Sequence, residues 1–231
     1  GTDNVAIGEA ALDAVTTGSD NTVVGDNAGG ATTTGDNNVA IGSGALDANS
    51  TGSDNTAVGY NALTASTTAT KNTALGYSAG EAITTGEKNV TIGYNSGKLI
   101  DEGIKNVAVG SYSLDATTTG DSNVAIGQSA LGANTTADDN VAVGATALTA
   151  NTTGTRNVAV GSTALDANTT ANDNTAIGYG SLGVNTTGAS NTSVGAYSLD
   201  ANSTASNNTA VGYASLGANT TGTENSAVGT N

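Results

Sequence analysis

The chain has 231 residues, with 20 acidic against 5 basic side chains, a formal charge of −15, and no Cys, His, Met, Trp, Phe or Pro. The charge excludes a nucleic-acid backbone as the expected partner, because phosphate recognition needs clustered Lys and Arg, and it disfavours an anionic membrane surface for the same reason. Without Cys there is no disulfide framework, and no apolar run reaches transmembrane length. An active site would have to rest on carboxylates, Lys and hydroxyls alone.

From the N-terminus onward one pattern dominates. The motif Asn-[Val/Thr/Ser]-[Ala/Val/Thr/Ser]-[Ile/Val/Leu]-Gly starts at Asn4 and returns every seventeen residues as far as Asn225, fourteen times, with no insertion or deletion. Such a period is the signature of a stacked repeat, and a strict length is what in-register stacking demands, since one extra residue would turn a strand's inward set outward. In the unit Asn157 to Asp173, Val158 and Val160 alternate with Asn157 and Ala159. That alternation predicts a short strand that buries its Val residues, ended by Gly161. A second short strand is expected over residues 164–170, with Leu165 and Ala167 inward, before a polar turn. Gly, Asn and β-branched residues at this density oppose helix. The reading is therefore an all-β parallel solenoid, or β-roll, of about fourteen seventeen-residue coils forming one repeat domain over residues 1–231. At ~4.8 Å per coil it would reach roughly 65–70 Å.

Particular coils depart from the pattern. Tyr60, Tyr77 and Tyr94 hold one position in three successive coils, so they form either a platform for sugar faces or a stabilising aromatic ladder. The repeat is most disturbed between Glu81 and Lys105; Gly80 and Gly97 replace the usual Leu, and Asp101-Glu102 replaces Thr-Thr. Two readings stand side by side. In one, Lys98, Asp101 and Glu102 join the tyrosines as a recognition patch. In the plainer one the turn varies neutrally, with Leu99, Ile100 and Ile104 filling the space left by Gly97.

The tenth position of the unit never places carboxylates in adjacent coils, and its one Lys, Lys98, falls between Glu81 and Asp115, as stacked columns require. Lys71, Lys88 and Lys105 share another column, read as a solvated turn. Thr-Thr pairs such as Thr135-Thr136 and Thr169-Thr170 build hydroxyl columns, of which only one rank can face outward. An ice-binding surface is the sharper reading, turn and ladder hydrogen bonding the plainer one. Asp138, Asp139 and Asp173 carry no recurring calcium pattern, and sequons such as Asn134 and Asn185 matter only in a eukaryotic secretory setting.

The run Asn-Val-Ala-Ile-Gly at 4–8, 38–42 and 123–127, and the longer stretch from Asn55 to Leu63, resemble the head repeats of YadA-like trimeric autotransporter adhesins and related bacteriophage tail-fibre repeats. The likeness covers essentially the whole chain, although the seventeen-residue unit is somewhat longer than in the best-studied heads. It implies a left-handed parallel β-roll wound as a homotrimer, displayed at the cell surface or on a virion. Matrix proteins, surface receptors or glycans are the implied partners.

The residues independently suggest self-association, because a core of Val, Leu and Ala is thin for its length. No capping unit is visible at either end, which suggests a natural chain continuing on both sides or units stacking head to tail into a filament. The expected role is structural or adhesive and not enzymatic. No cofactor or metal is expected, and no direct membrane insertion of this segment.

Overall fold

In a computed structural model, which describes residues 1–230, the chain is all-β, and every strand has three residues. Its contacts group into two units, Gly1–Thr119 and Gly120–Asn231. The first holds β1 (Val5–Ile7), β2 (Thr22–Val24), β3 (Val39–Ile41), β4 (Thr56–Val58), β5 (Thr73–Leu75), β6 (Val90–Ile92) and β7 (Val107–Val109). The second holds β8 (Val124–Ile126), β9 (Val141–Val143), β10 (Val158–Val160), β11 (Thr175–Ile177), β12 (Thr192–Val194), β13 (Thr209–Val211) and β14 (Ser226–Val228). Within each unit every strand pairs in parallel with the next, and each residue faces its counterpart seventeen positions on, as Val158 faces Thr175. Each unit is thus a parallel β-solenoid, as the period predicts.

The expected second strand is absent. Residues 161–170 run through successive turns, with left-handed backbone at Thr163 (φ 57°) and Leu165 (φ 51°). Alternating φ of opposite sign turns successive peptide groups up and down the stack, so the turns still hydrogen-bond to neighbouring coils. Leu165 N–H donates to Ser181 O at 3.1 Å, and Thr163 N–H donates to Ala145 O at 3.1 Å. Left-handed conformations are unfavourable for a non-glycine residue by roughly 1–2 kcal/mol, and these inter-coil bonds offset that.

The faces of the strand are also the reverse of the expectation. Ala159 is fully buried, whereas Val158 and Val160 are only half-buried, and β4, β7 and β9 repeat this pattern. The reason is the width of the interior. The residue at the third position of the unit meets the residue at the eighth directly across the coil: Ser193 Oγ donates to Ser198 O at 2.8 Å, and Ser181 Oγ to Ser193 Oγ at 2.7 Å. Walls this close suit a methyl or hydroxymethyl group, and the third position takes a buried Val only at Val23, 1% exposed, where Gly29 stands in place of the usual Leu and leaves room for it. Elsewhere Val goes outside. Leu165 fills one end of the flattened interior with no exposed surface. Ala167, expected inward, is half-buried, and Asn168 takes the inward place.

Asparagine closes the other end. Asn157 is fully buried; its Nδ2 donates to Asn140 Oδ1 at 3.2 Å and to Ala171 O at 2.8 Å, while its Oδ1 accepts from Asn174 N–H at 3.0 Å. Repetition of these contacts coil after coil satisfies the side chains of this buried column, whereas Ser66 Oγ, Ser96 Oγ, Asn185 Oδ1 and Asn202 Oδ1 elsewhere in the interior have no hydrogen-bond partner among the described residues. The strand-ending glycine is equally constrained: at Gly161 (φ +137°) a Cβ would lie 2.5 Å from Gly178 O.

Candidate functional surface

Three features of the surface bear on function: the outward strand face, the tyrosine columns and the threonine column. On the strand face, Ile41, Leu75, Ile126 and Ile177 remain 39–47% exposed, with Val or Thr at the second position of each coil beside them. This gives each unit a continuous apolar column at the fourth position of the coil, flanked by a mixed column of Val and Thr at the second. Scattered apolar residues on a surface need no explanation, but a contiguous stripe does.

Tyr60, Tyr77 and Tyr94 are stacked, with ring centroids 5.2 Å apart and planes 15–17° from parallel. Both faces of Tyr77 are therefore covered, the geometry of a ladder. Tyr112 continues the column by setting itself edge-on to Tyr94 at 5.4 Å and 69°. A second cluster, Tyr179, Tyr197 and Tyr213, packs edge-to-face throughout, at 5.4 and 6.1 Å. Sequence reasoning missed Tyr112 and Tyr197 as partners because each follows the tyrosine of the preceding coil by eighteen residues and not seventeen. That one-residue offset was the available signal.

The other candidate residues lie apart in role. Lys98 reaches Glu81 across one coil at 3.5 Å, as its column predicts. Asp101 is tied into its turn, accepting the Thr84 hydroxyl on its carboxylate, with its carbonyl accepting Thr84 N–H at 3.2 Å and Gly86 N–H at 3.1 Å. Glu102 is exposed beside it. The space left by Gly97 is filled by Ile100, which is fully buried: a Cβ on Gly97 would meet Ile100 Cδ1 at 2.8 Å and Thr91 Cγ2 at 2.6 Å. Leu99, expected to help fill that space, is 49% exposed, and Ile104 is half-buried. Ile83 compensates for Gly80 in the same way, within 3.0 Å of its missing Cβ.

The Thr-Thr pairs lie in bends and not in a strand, yet their two ranks still divide. Hydroxyls of the first rank donate to the carbonyl of the next coil, as Thr152 to Thr169 O at 3.0 Å and Thr169 to Thr186 O at 3.2 Å. Thr153, Thr170 and Thr187 of the second rank are exposed. Arg156 holds Asp173 through two hydrogen bonds of 2.7 and 3.0 Å, which lowers the carboxyl's pKa below its ordinary value. Desolvation raises the pKa of Asp47, with Asp13 adding to it, and raises those of Asp115 and Asp166. Among the described residues no three His, Cys, Asp or Glu side chains gather where a metal ion could be held, and no helix is long and apolar enough to cross a membrane. No protein-family model and no curated protein matches the chain.

Proposed function

We propose that the chain is an extracellular structural and adhesive repeat region, held as a homotrimer through its strand faces, of the kind its Asn-Val-Ala-Ile-Gly motif resembles in trimeric adhesin heads and phage tail fibres. The observation that carries this reading is the outward apolar stripe. A solenoid whose interior is filled mainly by Ala, Ser, Leu and Asn leaves most of its strand Val and Ile residues only partly buried, and association with copies of itself buries them. Apolar burial stabilises by about 25 cal/mol per Å², and a thin-cored repeat gains most from that.

The role is that of a spacer or attachment surface and not an enzyme. Its polar side chains recur as columns, whereas catalysis needs one locally assembled constellation of tuned groups.

Sedimentation or light scattering of the purified chain tests this. A discrete trimer is expected, and replacing Val158 and Val160 by Lys should dissociate it while the coil persists. A stable monomer contradicts the proposal, and open-ended polymers would indicate a filament instead.

A further inference from the structure

The second unit carries an open groove of about 510 Å³ beside Tyr179 and Tyr197, with Asp166 and Asp200 among its lining residues. Its origin lies partly in the tenth column, which runs Asp166, Gly183, Asp200 over three successive coils. Gly183 puts no side chain between the two carboxylates, and Gly180 (φ +62°) puts none beneath the ring of Tyr197, where a Cβ would lie 3.2 Å from Cδ1. Among the described residues no Lys or Arg pairs with Asp166 or Asp200.

The first unit contains the same arrangement with the gap filled. Glu81, Tyr94, Lys98, Leu99, Tyr112 and Asp115 recur 85 positions later as Asp166, Tyr179, Gly183, Val184, Tyr197 and Asp200. The correspondence is geometric as well. Tyr94–Tyr112 and Tyr179–Tyr197 are both edge-to-face pairs at 5.4 Å. Leu99 and Val184, where nearly every other coil has Ala, are both about half exposed, at 49% and 48%. In the first unit the ammonium of Lys98 sits 3.5 Å from Glu81, in the column that continues to Asp115. The second unit keeps both acids, both rings and the apolar rim, and replaces Lys98 by Gly183 and Asn95 by Gly180.

We propose that the groove at Gly180 and Gly183 binds a primary alkylammonium group supplied from outside the chain, such as a partner's lysine side chain, in the place that Lys98 fills in the first unit. The chemistry is complementary: Asp166, whose Oδ1 lies 3.5 Å from where a Cβ on Gly183 would stand, accepts a charge-assisted hydrogen bond from an ammonium as Glu81 does from Lys98, Asp200 adds negative charge one coil on, the tyrosine rings favour a cation near their faces, and Val184 borders the alkyl stem. A neutral sugar would use the rings but leave two carboxylates without a counter-charge.

The test is NMR of ring-labelled tyrosine in the full chain, titrated with Nα-acetyl-lysine methylamide, with putrescine, and with methyl glucoside as the neutral control. Saturable shifts at Tyr179 and Tyr197 with both amines are expected, the tighter amine telling whether a chain-borne lysine or a free polyamine fits better. Asp166→Asn should weaken binding on the order of 10-fold, the loss of one charge-assisted contact. Gly183→Lys should abolish it by restoring the internal ammonium, while Gly183→Ala retains it. No saturable shift with either amine up to ~100 mM, beyond the millimolar range in which a single weak ion-pairing contact is still detectable, overturns the proposal. So does binding of the glucoside in preference to the amines, or binding left unchanged in Gly183→Lys.

Discussion

Replacing Asn157 separates the role of the buried asparagine column from that of simple packing. In Asn157→Ala the amide N–H of Asn174 loses its acceptor at 3.0 Å, whereas Ala171 O keeps a donor in Asn168 Nδ2 at 3.1 Å, and Asn140 Oδ1 keeps the Asn157 backbone N–H at 3.0 Å. One orphaned buried donor plus a small cavity gives an expected loss of about 2–4 kcal/mol.

Asn157→Asp preserves the shape and the acceptor but turns two donor contacts, at 3.2 Å to Asn140 Oδ1 and 2.8 Å to Ala171 O, into oxygen–oxygen contacts. The new carboxylate has no cation beside it, and the expected loss at neutral pH is about 3–5 kcal/mol. Burial and the facing oxygens raise its folded-state pKa above the unfolded value of ~3.9. The folded state then holds the proton more tightly, so stability falls as pH rises through the folded pKa and is recovered below the unfolded one. Denaturant unfolding followed by far-UV circular dichroism, with amide exchange at Asn174 as the local readout, measures both variants. Should Asn157→Asp be no less stable than Asn157→Ala at pH 7, or fail to recover on acidification, the column is not the dry hydrogen-bonded array described above.

Other expectations follow from the same geometry. Gly161→Ala should destabilise by more than ~2 kcal/mol, since its Cβ would sit 2.5 Å from Gly178 O at a φ that disfavours alanine; Gly183→Ala, whose nearest contact would be 3.3 Å, should be close to neutral. Gly97→Leu should be destabilising by roughly 1–3 kcal/mol alone, and adding Thr91→Ala and Ile100→Asn, the residues most other coils carry, should restore most of it; a mutant cycle giving additive effects would show that the exchange of volume is not shared among these three sites. Asp166→Asn should stabilise the chain at neutral pH, because burial raises that carboxyl, and the gain should vanish below the unfolded pKa of ~3.9. Arg156→Ala should shift the Asp173 carboxyl upward in an NMR titration with little change in stability, as befits an exposed pair.

How much of this was legible beforehand depended on which physical constraint the residues expose. The repeat length and parallel register followed from the recurrence of Asn4 to Asn225 at one spacing, because stacking leaves no freedom to insert a residue. The strand Val158–Val160 lay where alternation placed it. Alternation defines two faces, however, and does not say which is inside. The usual preference for burying Val over Ala gave the reverse of what is found, because the interior is set by the approach of two walls, visible only in the contact of Ser193 with Ser198. The second strand failed for a related reason, since leucine and threonine give no sequence signal of left-handed backbone, yet Leu165 and Thr163 adopt it. Of the candidate patch, the Tyr60–Tyr94 stack and the Lys98–Glu81 pair could be read from columns. The groove at Gly183 could not, because it is made by absent side chains and by Tyr197, one position out of step with the column.

The register itself can be measured chemically in a chain that has no cysteine of its own. Thr175 and Thr192 are direct partners in adjacent strands, so their Cα atoms are expected ~4.8 Å apart, inside the range a disulfide spans. Thr175→Cys with Thr192→Cys should oxidise readily to an intrachain disulfide, whereas Thr175→Cys with Val194→Cys, two residues out of register and at ~8 Å, should not. Equal crosslinking of the two pairs, or preference for the second, would contradict the stacked parallel ladder on which both proposals stand.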